Sequence, residues 1–198
     1  MSPTGPYAKG IAKREEILTA ALGVIARLGC RKAAIREIAE AAGLSHAGLV
    51  HYFGSREALY EQVLRERDER DAAMFDEVEP TFAMYVKLVE HNATVPGLVQ
   101  LFIEYSAEAS APGHPSRDFF VDRYNRIRAA LSRAVIVAQR NGEVGPQVQP
   151  ESVADVIMAT TDGLQLQWSL DRSVDMVGRL RELWDGVRRT SWALDPLP

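Results

Sequence analysis

Apolar residues recur at helical spacing along nearly the whole chain. The first segment shows the pattern well, because one face of a helix running from about residue 8 or 10 to residue 28 would carry Ile17, Ala21, Val24, Ile25 and Leu28. Alternation of apolar and polar residues between turns, which is typical of strands, is missing from the sequence. The pattern therefore predicts an all-α protein.

Turn-forming residues divide this pattern into separate helices. Gly29, Gly43 and Gly54 are suited to end helices, and Ser45 and Ser55 are suited to cap the helices that follow them. After the first helix, the predicted helices cover approximately residues 35–42, 46–53, 56–78, 81–92, 97–110, 116–140, 150–170 and 173–192. The total is about nine helices.

The segment with the clearest functional pattern is AIREIAEAAGLSHAGLVHYFGSREAL, residues 34–59. It predicts two short helices joined by a tight glycine turn, with Ala42 and Gly43 removing side-chain bulk where the helices approach. A small core would form from Ile38, Ala39, Leu44, Leu49 and Phe53. This is the helix-turn-helix arrangement, whose second helix lies in the major groove of DNA. The exposed face of that helix is small or polar and carries Ser45, His46, Ala47, Gly48, Val50, His51 and Tyr52.

These residues resemble the TetR family of bacterial regulators. The likeness lies in KGIAKREEILTAAL, IREIAEAAGLS and HYFGSREALY, and above all in I-A-x-x-A-G-L-S followed by Y-F-x-S-R-E-x-L. It implies an N-terminal three-helix helix-turn-helix domain that binds DNA, residues 1–55. It also implies a C-terminal helical domain for ligand binding and dimerisation, residues 56–198.

The resemblance also assigns roles to single residues. Arg36 matches a position that reaches a base or a phosphate, whereas Tyr52 and Arg56 match positions that contact phosphate. Val50 departs from the family's frequent tyrosine, so that its contacts would be apolar, for example with a thymine methyl group. Ala34 replaces a capping threonine, which should weaken the cap of the second helix by about 1 kcal/mol.

Charge is distributed unevenly along the chain. The net charge is −4, yet residues 1–56 contain eight Lys and Arg against four Glu and so carry +4, which leaves −8 for the remainder. Because DNA binding requires only a local positive face, this asymmetry agrees with a nucleic-acid partner. The N-terminal arm, with Lys9, Lys13 and Arg14, either adds backbone or minor-groove contacts or is a frayed tail.

The last two predicted helices carry sustained apolar stripes. One stripe comprises Val153, Ile157, Thr160, Leu164 and Trp168, and the other comprises Val177, Leu180, Trp184, Val187 and Ser191. Such stripes fill a monomer core or pack against a partner. The resemblance implies a homodimer through these two helices, forming a four-helix bundle. A twofold dimer would present two recognition helices, about 34–36 Å apart, to a near-palindromic double-stranded DNA operator.

The middle helices supply candidate contacts for a small, largely apolar effector. The predicted ligand-binding residues are Phe102, Tyr105, Tyr124, Asp162, Gln165 and Trp168. For each aromatic residue taken singly, filling the core is the more common role. Asp162 and Gln165, like Gln167, either contact the ligand, face solvent or face a partner subunit.

Other chemistry finds little support in the sequence. The four histidines, His46, His51, His91 and His114, lack the spacing of a structural zinc site, and we predict no metal, cofactor or catalytic residue. Cys30, the single cysteine, cannot form an intrachain disulfide and is either a small buried residue or a redox switch. There is no apolar run of membrane-spanning length and no secretory signal, so the expected location is the cytoplasm.

The sequence thus predicts a ligand-responsive repressor that is not an enzyme. The ligand-free dimer would bind its operator, and a ligand in the body would favour a form with wrongly spaced heads, with the fourth helix as the physical link. One alternative is a helical ligand-binding or enzymatic domain whose helix-turn-helix does not read DNA. Others are a regulator that responds to a protein partner or to no ligand, and an activator rather than a repressor.

Overall fold

The structure is a computed structural model that describes residues 6–30, 32–73, 79–95 and 97–189. Every regular element in these residues is an α-helix, which confirms the predicted all-α class. The helices are α1 (Pro6–Leu28), α2 (Ile35–Ala41), α3 (His46–Phe53), α4 (Arg56–Ala73), α5 (Phe82–Thr94), α6 (Leu98–Ala109), α7 (Arg117–Arg140), α8 (Pro150–Leu170) and α9 (Met176–Arg189).

Most helix ends lie within three residues of the predicted ones, because local chemistry determines them. Gly29 and Gly54 adopt positive φ angles directly after α1 and α3, as a helix-terminating glycine does. The predicted end of the fourth helix at Val78 and that of the last helix at Trp192 fall outside the described residues.

The chain forms two compact units. The first comprises Met1–Arg70 with Val95–Phe119, and the second comprises Asp71–Thr94 with Phe120–Pro198. The division falls within α4 and within α7, so that α6 belongs to the same unit as α1, α2 and α3. The boundary predicted between residues 55 and 56 separates a DNA-binding domain from a ligand-binding and dimerisation domain. This functional boundary remains a prediction.

The core of the first unit is built around α1. Its Ile17, Ala21 and Ile25 are fully buried, as the helical spacing predicts. Leu28 was expected on the same buried face, but it is 41% exposed because α1 ends at this residue. Further buried side chains of this unit are Leu18, Val24, Ile38, Ala39, Leu49, Phe53, Leu59, Tyr60, Leu101 and Tyr105.

The core of the second unit is formed by side chains of α5, α7, α8 and α9. Phe82 and Trp184 stack with their ring centroids 4.6 Å apart. The two apolar stripes predicted on the last helices lie largely in this core, with Val153, Ile157, Leu164, Leu180, Trp184 and Val187 buried. Thr160, Trp168 and Val177 are partly exposed, and Ser191 lies outside the described residues. The stripes therefore serve the fold of the protomer, and a partner subunit would have to meet other faces.

Candidate nucleic-acid interface

The turn between α2 and α3 depends on Gly43. Its φ is +66°, in the left-handed region that favours glycine, and the amide of Leu44 donates to the Ala39 carbonyl oxygen at 2.8 Å. A Cβ atom placed on Gly43 would meet no atom of the described residues within 4 Å, apart from its own chain neighbours. The expectation that this glycine makes room for close helix approach is therefore wrong. The backbone conformation of the turn is the reason for glycine here.

Serine caps hold the starts of α3 and α4, as predicted. The Ser45 hydroxyl oxygen accepts from the Gly48 amide at 3.0 Å, and the Ser55 hydroxyl oxygen accepts from the Ala58 amide at 3.1 Å. Ala34 precedes α2 in an extended conformation and has no side-chain cap. Helix α3 thus begins at a well-defined residue, whereas α2 lacks the equivalent capping bond.

The side chains of α3 divide cleanly between core and surface. Leu49 and Phe53 are buried at 1% and 9% exposure and fix the helix to the unit. Arg36 on α2 is exposed. Of the other predicted DNA contacts, the exposed ones are Ser45, His46, Ala47 and His51, and the partly exposed ones are Gly48, Val50 and Tyr52. Each of these predicted contacts is therefore at least partly accessible to DNA, and its role in DNA binding remains a prediction.

Arg56 lies at the start of α4, and its guanidinium group is engaged by two carboxylates. Its Nε donates to the Glu57 carboxylate at 3.2 Å, and another guanidinium nitrogen donates to the Glu108 carboxylate at the end of α6. Partial burial opposes the charge of Arg56, but Glu108 and Glu57 together outweigh that effect and raise its pKa. Sequence reasoning missed Glu108, since it lies 52 residues from Arg56 and has no motif around it.

The basic residues of the N-terminal arm make contacts within the first unit. Lys13 Nζ donates to the Ala42 carbonyl oxygen at 2.8 Å and pairs with the Glu16 carboxylate at 2.9 Å. The guanidinium of Arg14 lies 4.8 Å from the centre of the Phe53 ring. These contacts hold α1 against the helix-turn-helix, whereas the side chain of Lys9 lies outside the described residues.

Two of the predicted ligand contacts, Phe102 and Tyr105, belong to the first unit and are buried there. The Tyr105 hydroxyl group donates to the Glu57 carbonyl oxygen at 3.3 Å and shares a hydrogen bond with the Ser116 hydroxyl. Its ring lies edge-on to Tyr60. Burial raises the pKa of Tyr105 far above its ordinary value. These surroundings favour the core-filling role for Tyr105.

The other four predicted ligand contacts belong to the second unit. Tyr124 donates its hydroxyl hydrogen to the Asp162 carboxylate at 2.7 Å. Burial raises the pKa of Asp162, although the Tyr124 hydrogen bond and the charge of Arg123 oppose this effect. Gln165 follows one turn later on α8, and its buried Oε1 has no hydrogen-bond partner among the described residues. The Trp168 ring is covered by the Arg172 guanidinium, 3.6 Å from the ring centre.

A pocket of about 260 Å³ opens in the first unit between α1 and α4. Its apolar lining is formed by Leu18, Leu22, Val63 and Val95, and its other lining residues are Glu15, Thr19, Gly23, Glu66, Arg67 and Arg70. The Glu15 carboxylate and the Arg70 guanidinium form an ion pair at 3.2 Å. None of the six predicted ligand contacts lines this pocket.

The described residues contain neither a metal-binding cluster nor a membrane-spanning helix. No set of three or more His, Cys, Asp or Glu side chains there is arranged to hold a metal ion. Among the same residues, no helix combines the length and apolar character needed to cross a bilayer.

Two family profiles match this sequence. The profile described as "Bacterial regulatory proteins, tetR family" matches residues 17–63, which include α2, α3 and the turn between them. The profile described as "BetI-type transcriptional repressor, C-terminal" matches residues 83–187, more than half of the chain. The chain belongs to the TetR family. The family predicted from the sequence is thereby confirmed, as is the order of a helix-turn-helix domain followed by a helical body.

Individual named proteins are similar to this chain over most of its length. The A-factor receptor protein of Streptomyces griseus is 27% identical over 89% of this chain. The chain spans less than two thirds of that relative's length, namely 63%. The transcriptional repressor KstR2 of Mycolicibacterium smegmatis is 28% identical over 97% of this chain and 82% of its own. The structure of Salmonella enterica GusR has a TM-score of 0.71 and 26% identity, covering 96% of this chain and all of that one.

Proposed function

We propose that this TetR-family protein is a sequence-specific DNA-binding repressor that a small molecule releases from its operator. The observation that carries the proposal is α3, a capped helix that buries only Leu49 and Phe53 and leaves a small and polar surface for the major groove. A relative that is named a transcriptional repressor, KstR2, and one that is named a receptor, the A-factor receptor protein, support the two halves of the proposal.

The exposed side chains divide by chemistry into two kinds of DNA contact. His46 and His51 offer ring nitrogens that reach base edges, while the small Ala47 and Gly48 allow α3 to approach the bases closely. Tyr52 and Arg56 carry the donors suited to phosphate oxygens. Arg36 serves either kind of contact from α2, and Val50 offers an apolar surface to a thymine methyl group.

The proposed homodimer forms through α8 and α9 by faces that the protomer core leaves open. On α8, small or apolar side chains recur every three or four residues on the side away from Ile157 and Leu164. This stripe comprises Val156, Ala159, Gly163, Leu166 and Leu170, with Leu166 49% and Leu170 83% exposed. Burial of such a stripe against its twofold mate would remove apolar surface from water and let the helices pack closely. The twofold axis then matches a near-palindromic operator.

The proposed effector is small and largely apolar, and it binds in the second unit. Asp162 lies one turn before Gln165 on α8, and Gln165 Oε1 has no hydrogen-bond partner within the part of the chain that the structure describes. The hydroxyl of Tyr124 and the partly exposed ring of Trp168 belong to the same proposed site. Because a buried acceptor without a donor costs free energy, the effector should bring at least one hydrogen-bond donor to Gln165. Its binding is proposed to lower the affinity of the first unit for the operator.

The comparisons favour regulation over catalysis, since the relatives named above are a receptor and a transcriptional repressor. We therefore propose no catalytic residue. Because the target is chromosomal DNA, we place the protein in the cytoplasm. A regulator that answers to a protein partner would bind the same operators but would not respond to any small molecule.

Selection of bound DNA from a random duplex pool, at near-physiological salt, tests the proposal. We expect an inverted repeat to be enriched, and His46→Ala or His51→Ala to select a different base at the contacted position. Tyr52→Phe should instead weaken binding to every duplex and lower its salt dependence. Absence of enrichment with folded, ligand-free protein would contradict the proposal.

A further inference from the structure

Helix α6 presents a row of polar side chains to the segments on either side of the helix-turn-helix. Gln100, Glu104 and Glu108 follow one another at intervals of four residues, so that they share a face. The Gln100 amide donates to the Glu104 carboxylate at 2.9 Å. The other oxygen of Glu104 accepts from the Cys30 main-chain amide at 2.7 Å, in the turn that follows α1.

Glu108, one turn further along α6, binds the guanidinium group of Arg56 at the start of α4. The two side chains are partly shielded from solvent, at 26% exposure for Arg56 and 32% for Glu108. Glu57 occupies a second side of the same guanidinium. Arg56 therefore faces two carboxylates, and the group as a whole carries a net negative charge.

A guanidinium binds carboxylate and phosphate oxygens by the same forked donor geometry. We propose that the Glu108 carboxylate holds the place of an operator phosphate on Arg56, so that it is an internal competitor which DNA must displace. This inference rests on the proposed function, because it takes Arg56 as a phosphate contact. Glu108 thereby sets the affinity of the DNA-binding unit from a helix outside the helix-turn-helix.

The displaced carboxylate has a second partner close by. His114 Nε2 lies 3.8 Å from the nearer Glu108 oxygen. His114 Nδ1 accepts from the Ser116 amide at 3.2 Å, so the ring carries its hydrogen on Nε2, towards Glu108. When Arg56 binds a phosphate instead, the Glu108 carboxylate can accept a hydrogen bond from His114 Nε2 and so keeps a polar partner. Competition can therefore work without leaving a shielded carboxylate unpaired.

The test is Glu108→Gln, which removes the competing charge while keeping the size of the side chain. Binding is measured against a random-sequence duplex and against the selected repeat, over a series of salt concentrations. We expect the variant to bind both duplexes roughly two- to fivefold more tightly for each protomer that contacts the DNA. This range corresponds to the free energy of one partly exposed ion pair. The slope of log affinity against log salt should steepen by about 0.9 for each additional phosphate that the variant neutralises.

Two comparisons separate competition from a general effect of charge. Glu61→Gln removes an equal charge from α4 at a residue that pairs with Arg65, and it should leave affinity nearly unchanged. In an Arg56→Gln background, the gain from Glu108→Gln should vanish, because the cation for which Glu108 competes is gone. An equal gain in that background, or from Glu61→Gln, would overturn the inference.

Loss of affinity by Glu108→Gln with the fold retained, as judged by circular dichroism, would also overturn it and make Glu108 a positioning residue instead. If Arg56→Gln alone leaves affinity and salt slope unchanged, Arg56 is not a phosphate contact and the inference fails. An enriched repeat in the selection experiment would then still support the proposed function. The two failures are therefore distinguishable.

Discussion

Lys13 of α1 donates a hydrogen bond to the main-chain carbonyl oxygen of Ala42, 2.8 Å away, where α2 ends. The bond joins residues 29 positions apart and ties the N-terminal helix to the helix-turn-helix. Its carbonyl acceptor lies at the C-terminal end of α2, where the helix presents unsatisfied carbonyl groups and a cation is favourable. Lys13, which the sequence suggests as a DNA contact, thus binds a main-chain carbonyl group within the protein.

Lys13→Met should therefore lower stability. Removing a charged donor from a partly buried carbonyl should cost about 1 kcal/mol, which corresponds to a fall in Tm of about 2–4 °C for a protein of this size. Thermal unfolding followed by circular dichroism measures the change, with Lys87→Met on the exposed side of α5 as the control. An unchanged Tm together with a lower salt slope in DNA binding would instead make Lys13 a phosphate contact.

Ala34→Thr should raise the stability of the protein. Ala34 already has the extended backbone of an N-cap residue, with φ of −69° and ψ of 159°, yet it contributes no capping bond. A threonine hydroxyl there would accept from a free amide in the first turn of α2 and stabilise the fold by about 1 kcal/mol. Thermal unfolding should show a Tm higher by about 2–4 °C.

Ala34→Val is the matched comparison for this gain, because valine has the same shape but no hydroxyl group. If valine raised the Tm as much as threonine, packing rather than capping would be the cause. A loss of stability by both variants would show that the site does not tolerate a branched side chain.

The Cys30 thiol should be inert in the folded protein. It is fully buried, and burial, with the nearby carboxylates of Glu104 and Glu108, raises its pKa to about 12. Since the thiolate is the reactive form, iodoacetamide at mildly alkaline pH should label Cys30 only when the first unit opens. Mass spectrometry of timed samples would follow the reaction, with protein in denaturant as the fully reactive reference. Labelling of native protein as fast as the reference would contradict this expectation and revive the redox-switch interpretation.

Asp162→Asn should stabilise the protein at neutral pH. Burial raises the pKa of Asp162, so the folded state holds its proton more tightly than the unfolded state. The stability that this protonated form contributes is complete below the ordinary pKa of 3.8 and is lost as the pH rises through the folded pKa. Asparagine still accepts the hydrogen bond from Tyr124 but carries no charge. The gain in free energy of unfolding over the parent protein should therefore be present at neutral pH and should shrink as the solution is made acidic.

Denaturant unfolding at several pH values measures this difference. Asp155→Asn is the control, because Asp155 is exposed and pairs with Arg128 on the surface. It should give no gain at neutral pH. A constant difference between Asp162→Asn and the parent protein over the whole pH range would rule out titration of Asp162 as the cause.

Local chemistry explains why much of the first unit could be predicted. Gly29, Gly43 and Gly54 adopt backbone angles that favour glycine, and Ser45 and Ser55 make the capping bonds expected of serine before a helix. Each of these features depends on residues within a few positions of one another. The helix-turn-helix could therefore be read directly from consecutive residues.

Features that depend on distant residues could not be obtained in this way. Periodicity shows that one face of α8 is apolar, but it does not show whether Ile157 packs within the protomer or against a partner, and here it packs within. The partner of Arg56 is 52 residues away, and α6 carries no motif that would place it in the DNA-binding unit. Leu28 fits the buried spacing of α1, yet the helix ends there and leaves the side chain exposed.

The position of Trp184, which stacks on Phe82 in the core of the second unit, has a practical consequence for fluorescence experiments. Of the three tryptophans of the sequence, Trp168 and Trp184 lie in the second unit, and Trp192 lies outside the described residues. The first unit carries tyrosine and phenylalanine but no tryptophan. Within the described residues, light absorbed at the red edge of the protein spectrum is therefore emitted from the unit in which we propose that the effector binds. Tryptophan fluorescence of unlabelled protein can therefore follow a titration with candidate effectors. The first unit contributes no tryptophan emission at that wavelength.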